Sequence, residues 1–388
     1  MNILYVVNNS NIFKVNNGGA LRNYLFAKAL SEVGHVDIIS FGNDNEVSNI
    51  SGCEVIFSKK IRDSYSSVGG IRSLVCATLW PENPYSYYQV DKRKETIIDS
   101  FVNTKKYDII VCRYMAPAIK IGLLKYKERL IIDADDNLAN VMKYEATKTA
   151  SFYKKRKLLY KSKRIERMMN KLLNEVLLSF GPNKSEMSSS KTIFLHNTSS
   201  IASEAPYAPT SNRILFIGIL AFYPNEQGIT HFVDVIFPQI RRIIPNAHLH
   251  IVGKGEPEFL AYLNSIEGVE AVGLVEDITK EYQEAAAVVI PIYHGAGSSI
   301  KFVEAMLMKR PVVSTPMGAR GFSEVFRDGV DYMLAETDKE FADKTIELLS
   351  SAEKAREIVN NGHEMALKHY SQEKFIEIVK ESITKLGA

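Results

Sequence analysis

Short apolar runs recur along this chain, and they restrict its fold more than any other feature. Ile3–Val7, Val36–Ser40, Ile109–Cys112 and Leu130–Ile132 are rich in Val, Ile and Leu and show little of the strict alternation of a half-exposed strand. Such runs suit strands buried on both faces, as in parallel sheets. Parallel neighbours need a crossover, and helical patterns stand between the runs. Within Gly18–Leu30, the positions Leu21, Leu25 and Ala29, with Phe26 and Leu30, repeat at helical spacing and complete a strand–helix–strand unit. The second half repeats the plan: Ile214–Ile217, His248–Val252, Val269–Val272, Val288–Ile290 and Pro311–Ser314 read as strands, with helical patterns at Thr230–Ile244 and Ile300–Met308 among them. Two doubly wound α/β domains are expected.

Length agrees, because 388 residues exceed one ordinary core and 46% hydrophobic residues can fill two. Residues 197–212 are small, polar and Pro-containing without periodicity, and read as the interdomain linker. The near-neutral net charge of +3 conceals a split: residues 1–205 hold 30 basic and 20 acidic side chains, net +10, while 206–388 hold 18 and 25, net −7. Composition excludes disordered, collagen-like and coiled-coil chains. Cys53, Cys76 and Cys112 lack the number and spacing of a disulfide framework or zinc ribbon and read as reduced core residues. No run approaches the roughly 18 apolar residues of a membrane span. Met1–Val7 has no basic region ahead of its apolar run, so a cytoplasmic protein is expected.

In open parallel sheets, ligands bind beyond the carboxyl ends of the strands. Ile290–Met306 runs from a strand through a Gly-rich loop into a helix. Gly295 and Gly297 permit close backbone approach, the amides of Ser298, Ser299, Ile300 and Lys301 suit an anion, and Lys301 adds a cation. A phosphate or diphosphate fits there, with Glu304 one turn on as an acceptor for ribose hydroxyls; the bland alternative is a plain turn and a solvated glutamate. At Ile214–Gly228 a strand ends in Gly218, Asn225 follows, and a helix is expected to start near Gly228, its amides facing the same phosphate.

The succession FIGILAFYPNEQGI, LHIVGKGEP, VGLVED and GAGSSIKFVEAMLMKRPVVSTPMGARGF resembles the nucleotide-sugar domain of glycosyltransferase family 4, the group 1 glycosyltransferases. The likeness extends more weakly to the first half through Gly18-Gly19-Ala20-Leu21-Arg22 and ISFG. It implies a GT-B fold: an acceptor-side domain over 1–205, a donor domain over 206–370, and a terminal helix over 371–388 crossing back to the first, with the donor held in a cleft between the domains. It also implies metal-independent, retaining transfer of a hexose from a nucleoside diphosphate sugar to a glycan, a lipid-linked or another cell-envelope acceptor, as in polysaccharide biosynthesis. No cofactor is implied beyond that co-substrate. The base would lie against Gly273, Leu274 and Val275, and Arg320 is a reserve cation for the diphosphate.

Two departures stand out. The first of the family's paired glutamates falls at Ala296, and the usual Arg and Lys of the loop after the domain's first strand fall at Ile219 and Gln227. Charge developing on the leaving diphosphate must then be met by Lys301 and local amides. These losses also motivate two rivals: a nucleotide-sugar epimerase of the same architecture and a non-catalytic sugar-nucleotide-binding module.

In the first half, Arg113 and Tyr114 follow a strand where the family often carries a donor-contacting histidine. Arg113 either binds a phosphate or acidic acceptor or pairs with a carboxylate such as Asp133. Gly18, Gly19 and Arg22 stand on the same phosphate or acceptor side. Asp133-Ala134-Asp135-Asp136 invites a metal reading, but helix capping and pairing with basic neighbours is preferred and no metal is assigned. Lys154–Lys171 holds nine basic residues and one acid, with Leu158, Ile165, Met169 and Leu172 on one stripe. It is either an ordinary solvated face or a contact for anionic lipid or a diphosphate-linked acceptor at the inner membrane face. No nucleic-acid motif accompanies it. Trp80–Tyr88 is a Pro-broken aromatic stretch, suited to lining an acceptor site or to packing over the sheet edge.

Overall fold

The structure, a computed structural model, describes residues 1–8, 12, 18–42, 50–62, 79–135, 138–182, 189–203, 205–295 and 299–387. The chain divides into two units, Met1–Asn197 with Phe375–Ala388, and Thr198–Lys374.

The first unit is built on a seven-stranded sheet: β1 (Asn2–Val7), β2 (His35–Ser40), β3 (Cys53–Ser58), β4 (Ile109–Arg113), β5 (Leu130–Asp133), β6 (Leu178–Gly181) and β7 (Thr192–Phe194). The order is β3-β2-β1-β4-β5-β6-β7, every pairing parallel. The order reverses between β1 and β4. Buried apolar clusters cover both faces, as the unbroken runs require. On one face the helix Gly18–Ser31 packs with Phe375, Ile376, Val379 and Ile383 of the late helix Gln372–Gly387; Phe26 meets Phe375 edge to face at 5.4 Å between centroids.

The second unit holds six parallel strands, β8 (Arg213–Ile217), β9 (His248–Val252), β10 (Val269–Gly273), β11 (Ala287–Ile290), β12 (Val312–Ser314) and β13 (Met333–Leu334), in the order β10-β9-β8-β11-β12-β13. Here the order reverses between β8 and β11. The helix expected over Thr230–Ile244 starts earlier, at Tyr223, and reaches Ile243 through a π turn at Phe232–Ile236. Pro238 explains the turn, because it brings no N–H for the i→i−4 bond and the ladder must widen around it.

The division falls after Asn197, ahead of the boundary at 205 expected from composition. The polar stretch after Asn197 is hydrogen-bonded to the second unit: Ser203 N–H donates to Leu307 O (3.1 Å), Gln372 donates to Ser199 O (3.0 Å), and the Thr198 hydroxyl donates to Tyr370 O. A segment without periodicity is still fixed when its polar groups find partners.

Cys112 is buried, Cys53 is half-buried, both are free thiols, and Cys76 lies outside the described residues. The basic segment is part of one helix, Phe152–Glu175. Ile165, Met168, Met169, Leu172 and Leu173 bury its later turns, while residues 152–161 are exposed except for half-buried Leu158. Among the described residues no helix is long and apolar enough to cross a membrane.

Candidate active site

The loops after β8 and β11 leave the sheet of the second unit at its reversal point, where a crevice forms between chain segments that diverge to opposite faces. They enclose a cavity of about 160 Å³ lined by Phe222, Pro224, Asn225, Ile292, His294, Gly295, Ser299, Ile300, Lys301 and Met317. That is smaller than the ~300–1,000 Å³ of a small-molecule pocket and suits an anion subsite.

The helix Ile300–Leu307 aims its start at this cavity. Its N-cap, Ser299, makes no side-chain capping bond, so the first-turn amides and the positive end of the helix dipole face the lining. Phe302 fixes the helix from below: its ring stacks on Phe322 at 4.7 Å and meets Phe326 and Tyr332 edge-on. Lys301 and Glu304, three apart, share the helix side that meets polar groups.

Lys301 is 9% exposed. Its ammonium donates to Asn225 Oδ1 at 2.7 Å and lies 4.5 Å from the centre of the Phe216 ring. Asn225 is oriented by its own amide, which donates to Ile219 O at 2.9 Å. Burial pushes the Lys301 pKa down to about 7, against the pull of Glu304. A Cβ at Gly218 would sit 2.8 Å from Asn225 Nδ2 and 2.9 Å from Lys301 Nζ. Glycine at the end of β8 therefore gives the lysine its room.

The structure places three of the expected residues and corrects one of them. Glu304 does not line the cavity. It accepts from the Tyr282 and Ser199 hydroxyls, each at 3.1 Å, and burial raises its pKa against those bonds and Lys301. A desolvated carboxylate takes the donors at hand, and nothing in the spacing had marked Tyr282 or Ser199. Gly228 is the correction. The helix begins at Tyr223, so the Gly228 amide lies inside it and is no terminal anion donor. A Cβ at Gly228 would meet Pro291 O at 2.0 Å, so this glycine lets the helix pack on the loop after β11. Gly228→Ala is expected to destabilise the protein by about 1–3 kcal/mol through overpacking, although alanine elsewhere in a helix gains about 1 kcal/mol; urea unfolding decides the sign. Arg320 is on the turn after β12.

Gly273, with φ +74, ends β10, Leu274 is 74% exposed and Val275 packs against the core. The Gly253 N–H donates to Gly273 O at 2.7 Å and the Gly218 N–H to Val252 O at 2.9 Å, which ties the three loops after β8, β9 and β10 together. Gly295 lines the cavity with φ +148, a value open to glycine. Ala296, Gly297 and Ser298 lie outside the described residues.

The first unit also gathers its named residues at a reversal point, but inward. Arg22 is 2% exposed and donates to both Asp133 carboxylate oxygens at 2.7 Å, and further to Leu195 O, His196 O and Asn197 Oδ1. Arg113 donates to Asp135 Oδ2 at 2.7 Å and to Gly19 O, and stacks over Tyr114 at 4.4 Å. Burial pushes the Asp135 carboxyl up, and Arg22, Arg113 and Asn197 more than reverse it, leaving it below its ordinary value. Of the two readings of Arg113, pairing holds, and Arg22 is likewise committed to a carboxylate and not to a bound phosphate. Asp133 and Asp135 are neutralised by arginines, which removes the charge a metal would need; Asp136 lies outside the described residues. Gly18 opens the helix Gly18–Ser31, and Tyr114 follows β4 with φ 66, a strained value for a bulky residue.

Sucrose-phosphate synthase from Thermosynechococcus elongatus superposes with a TM-score of 0.69 at 15% identity, over 100% of this chain and 99% of that one. The chain has the GT-B fold. Another GT-B structure, the Anabaena protein HepE in complex with UDP-glucose, gives a TM-score of 0.62 at 14% identity over 99% of this chain and 100% of that one. Residues 211–351, within the second GT-B domain, match the family model described as Glycosyl transferases group 1. An uncharacterized 44.6 kDa protein in the cps region of Klebsiella pneumoniae is 24% identical over 98% of this chain and 99% of its own length.

Proposed function

We propose that the protein is a group 1 glycosyltransferase that moves a hexose, with retention, from a nucleoside diphosphate sugar to a glycan or lipid-linked acceptor of a cell-envelope polysaccharide. One observation carries the reading: a buried lysine and an uncapped helix start meet in a cavity at the sheet's reversal point. Ammonium and amides together stabilise a leaving diphosphate, which lets the reaction run without a metal. The family match over 211–351 and the relative in a cps region support the substrate class.

Among the described residues no carboxylate lines the cavity. The family resemblance implies front-face attack, with the departing diphosphate taking the acceptor's proton. Glu304 then acts by holding Tyr282 and Ser199 around the lysine-bearing helix. Calorimetry with UDP, GDP, ADP and dTDP should give saturable binding for at least one. Binding to none would end the proposal, and an isomerised donor in the absence of acceptor would favour an epimerase.

A further inference from the structure

A second cavity, of about 530 Å³, lies in the first unit. Leu79, Trp80, Pro81 and Glu82 line it together with Lys171 and Glu175. Glu175 comes three residues before β6 and pairs at 3.1 Å with Lys127, three residues before β5. The cavity therefore opens at the amino ends of the strands, away from the end where parallel sheets carry out chemistry.

Trp80 is held in a way that a loose surface residue is not. Its carbonyl accepts from Asn83 N–H (3.1 Å) and the Ser86 hydroxyl (3.0 Å), the Pro81 carbonyl accepts from the Tyr87 hydroxyl (2.8 Å), and Ser86 and Tyr87 are buried. These bonds fix the backbone at Trp80 and Pro81, and the indole stands 58% exposed with Leu79 61% exposed. Each wall carboxylate is paired, Glu82 with Lys171 at 3.3 Å and Glu175 with Lys127 at 3.1 Å, so the walls carry no net charge. That balance disfavours anionic lipid, nucleic acid and nucleotide. A flat aromatic face beside carboxylates instead matches a neutral sugar, whose C–H face packs on the indole while its hydroxyls donate to Glu82 and Glu175.

We propose that this cavity is a glycan-binding site, separate from the diphosphate subsite, that holds a neutral oligosaccharide against Trp80. A preformed aromatic platform binds with little ordering cost. The site would keep a glycan chain on the protein between encounters, raising its effective concentration.

Trp80 is the single tryptophan of the sequence, so its fluorescence reports on this cavity directly. Titration with maltohexaose, cellohexaose and chitohexaose should give a saturable change in emission with at least one. Glu175→Gln should weaken that binding at least tenfold, and Trp80→Ala, followed by saturation-transfer NMR, should abolish it while leaving thermal unfolding and UDP binding unchanged. UDP binding, measured by calorimetry, stands or falls independently. No saturable response to any hexasaccharide overturns the proposal, as does a response only to phosphatidylglycerol vesicles.

Discussion

Lys301→Ala is expected to lower both nucleoside diphosphate affinity and sugar transfer by about 10²–10³-fold, the scale of losing one charged donor from a preorganised oxyanion site. The residue is buried, oriented by Asn225 and packed on Phe216, so its replacement removes a fixed charge and not a mobile one. The pH dependence should be distinctive. With its pKa pushed down to about 7, the free protein's Lys301 loses its proton above neutrality, and a bound diphosphate must restore it. Affinity should fall as pH rises above 7, by at most about tenfold per unit, with proton uptake measurable by calorimetry in buffers of different ionisation heat. For folding, the unfolded lysine keeps its proton up to its ordinary value of 10.5. This group therefore makes stability rise as pH climbs from 7 toward that value. Equal pH slopes for wild type and Lys301→Ala would remove Lys301 from the diphosphate site.

The second large effect is structural. Arg22→Ala should destabilise the first unit by about 3–5 kcal/mol, because it leaves the Asp133 carboxylate buried without its bidentate partner. Trp80 lies in that unit, so fluorescence-detected urea unfolding isolates the effect. Arg22→Lys should recover only part of it, since an ammonium cannot reproduce the fork that spans both oxygens of Asp133 and reaches three further acceptors. Wild-type stability in Arg22→Ala would show that the cluster contributes little.

These two residues illustrate what the sequence could and could not disclose. Both sheets were readable because buried parallel strands leave continuous Val and Ile runs; β3, β6, β7 and β13 escaped because they are short or carry polar residues such as Glu54, Ser179 and Thr192. Lys301 was readable because strand, Gly-rich loop and helix follow one another in the chain. Arg22 was misread for the opposite reason: its partner Asp133 is 111 residues away, and an arginine three residues after a glycine pair looks the same whether it meets a ligand or a buried carboxylate. The partners of Glu304 were equally out of reach, because Ser199 and Tyr282 belong to other elements.

The packing of Phe375, Ile376, Val379 and Ile383 into the first unit sets an order of events during synthesis. The second unit is one uninterrupted stretch and can form as soon as it leaves the ribosome. The first cannot complete its core until residues beyond 374 appear, a delay of roughly 9–35 s at about 5–20 residues per second. Through that interval Phe26 and the apolar face of Gly18–Ser31 lack their late partner, which makes the earliest-made part of the protein the last to close.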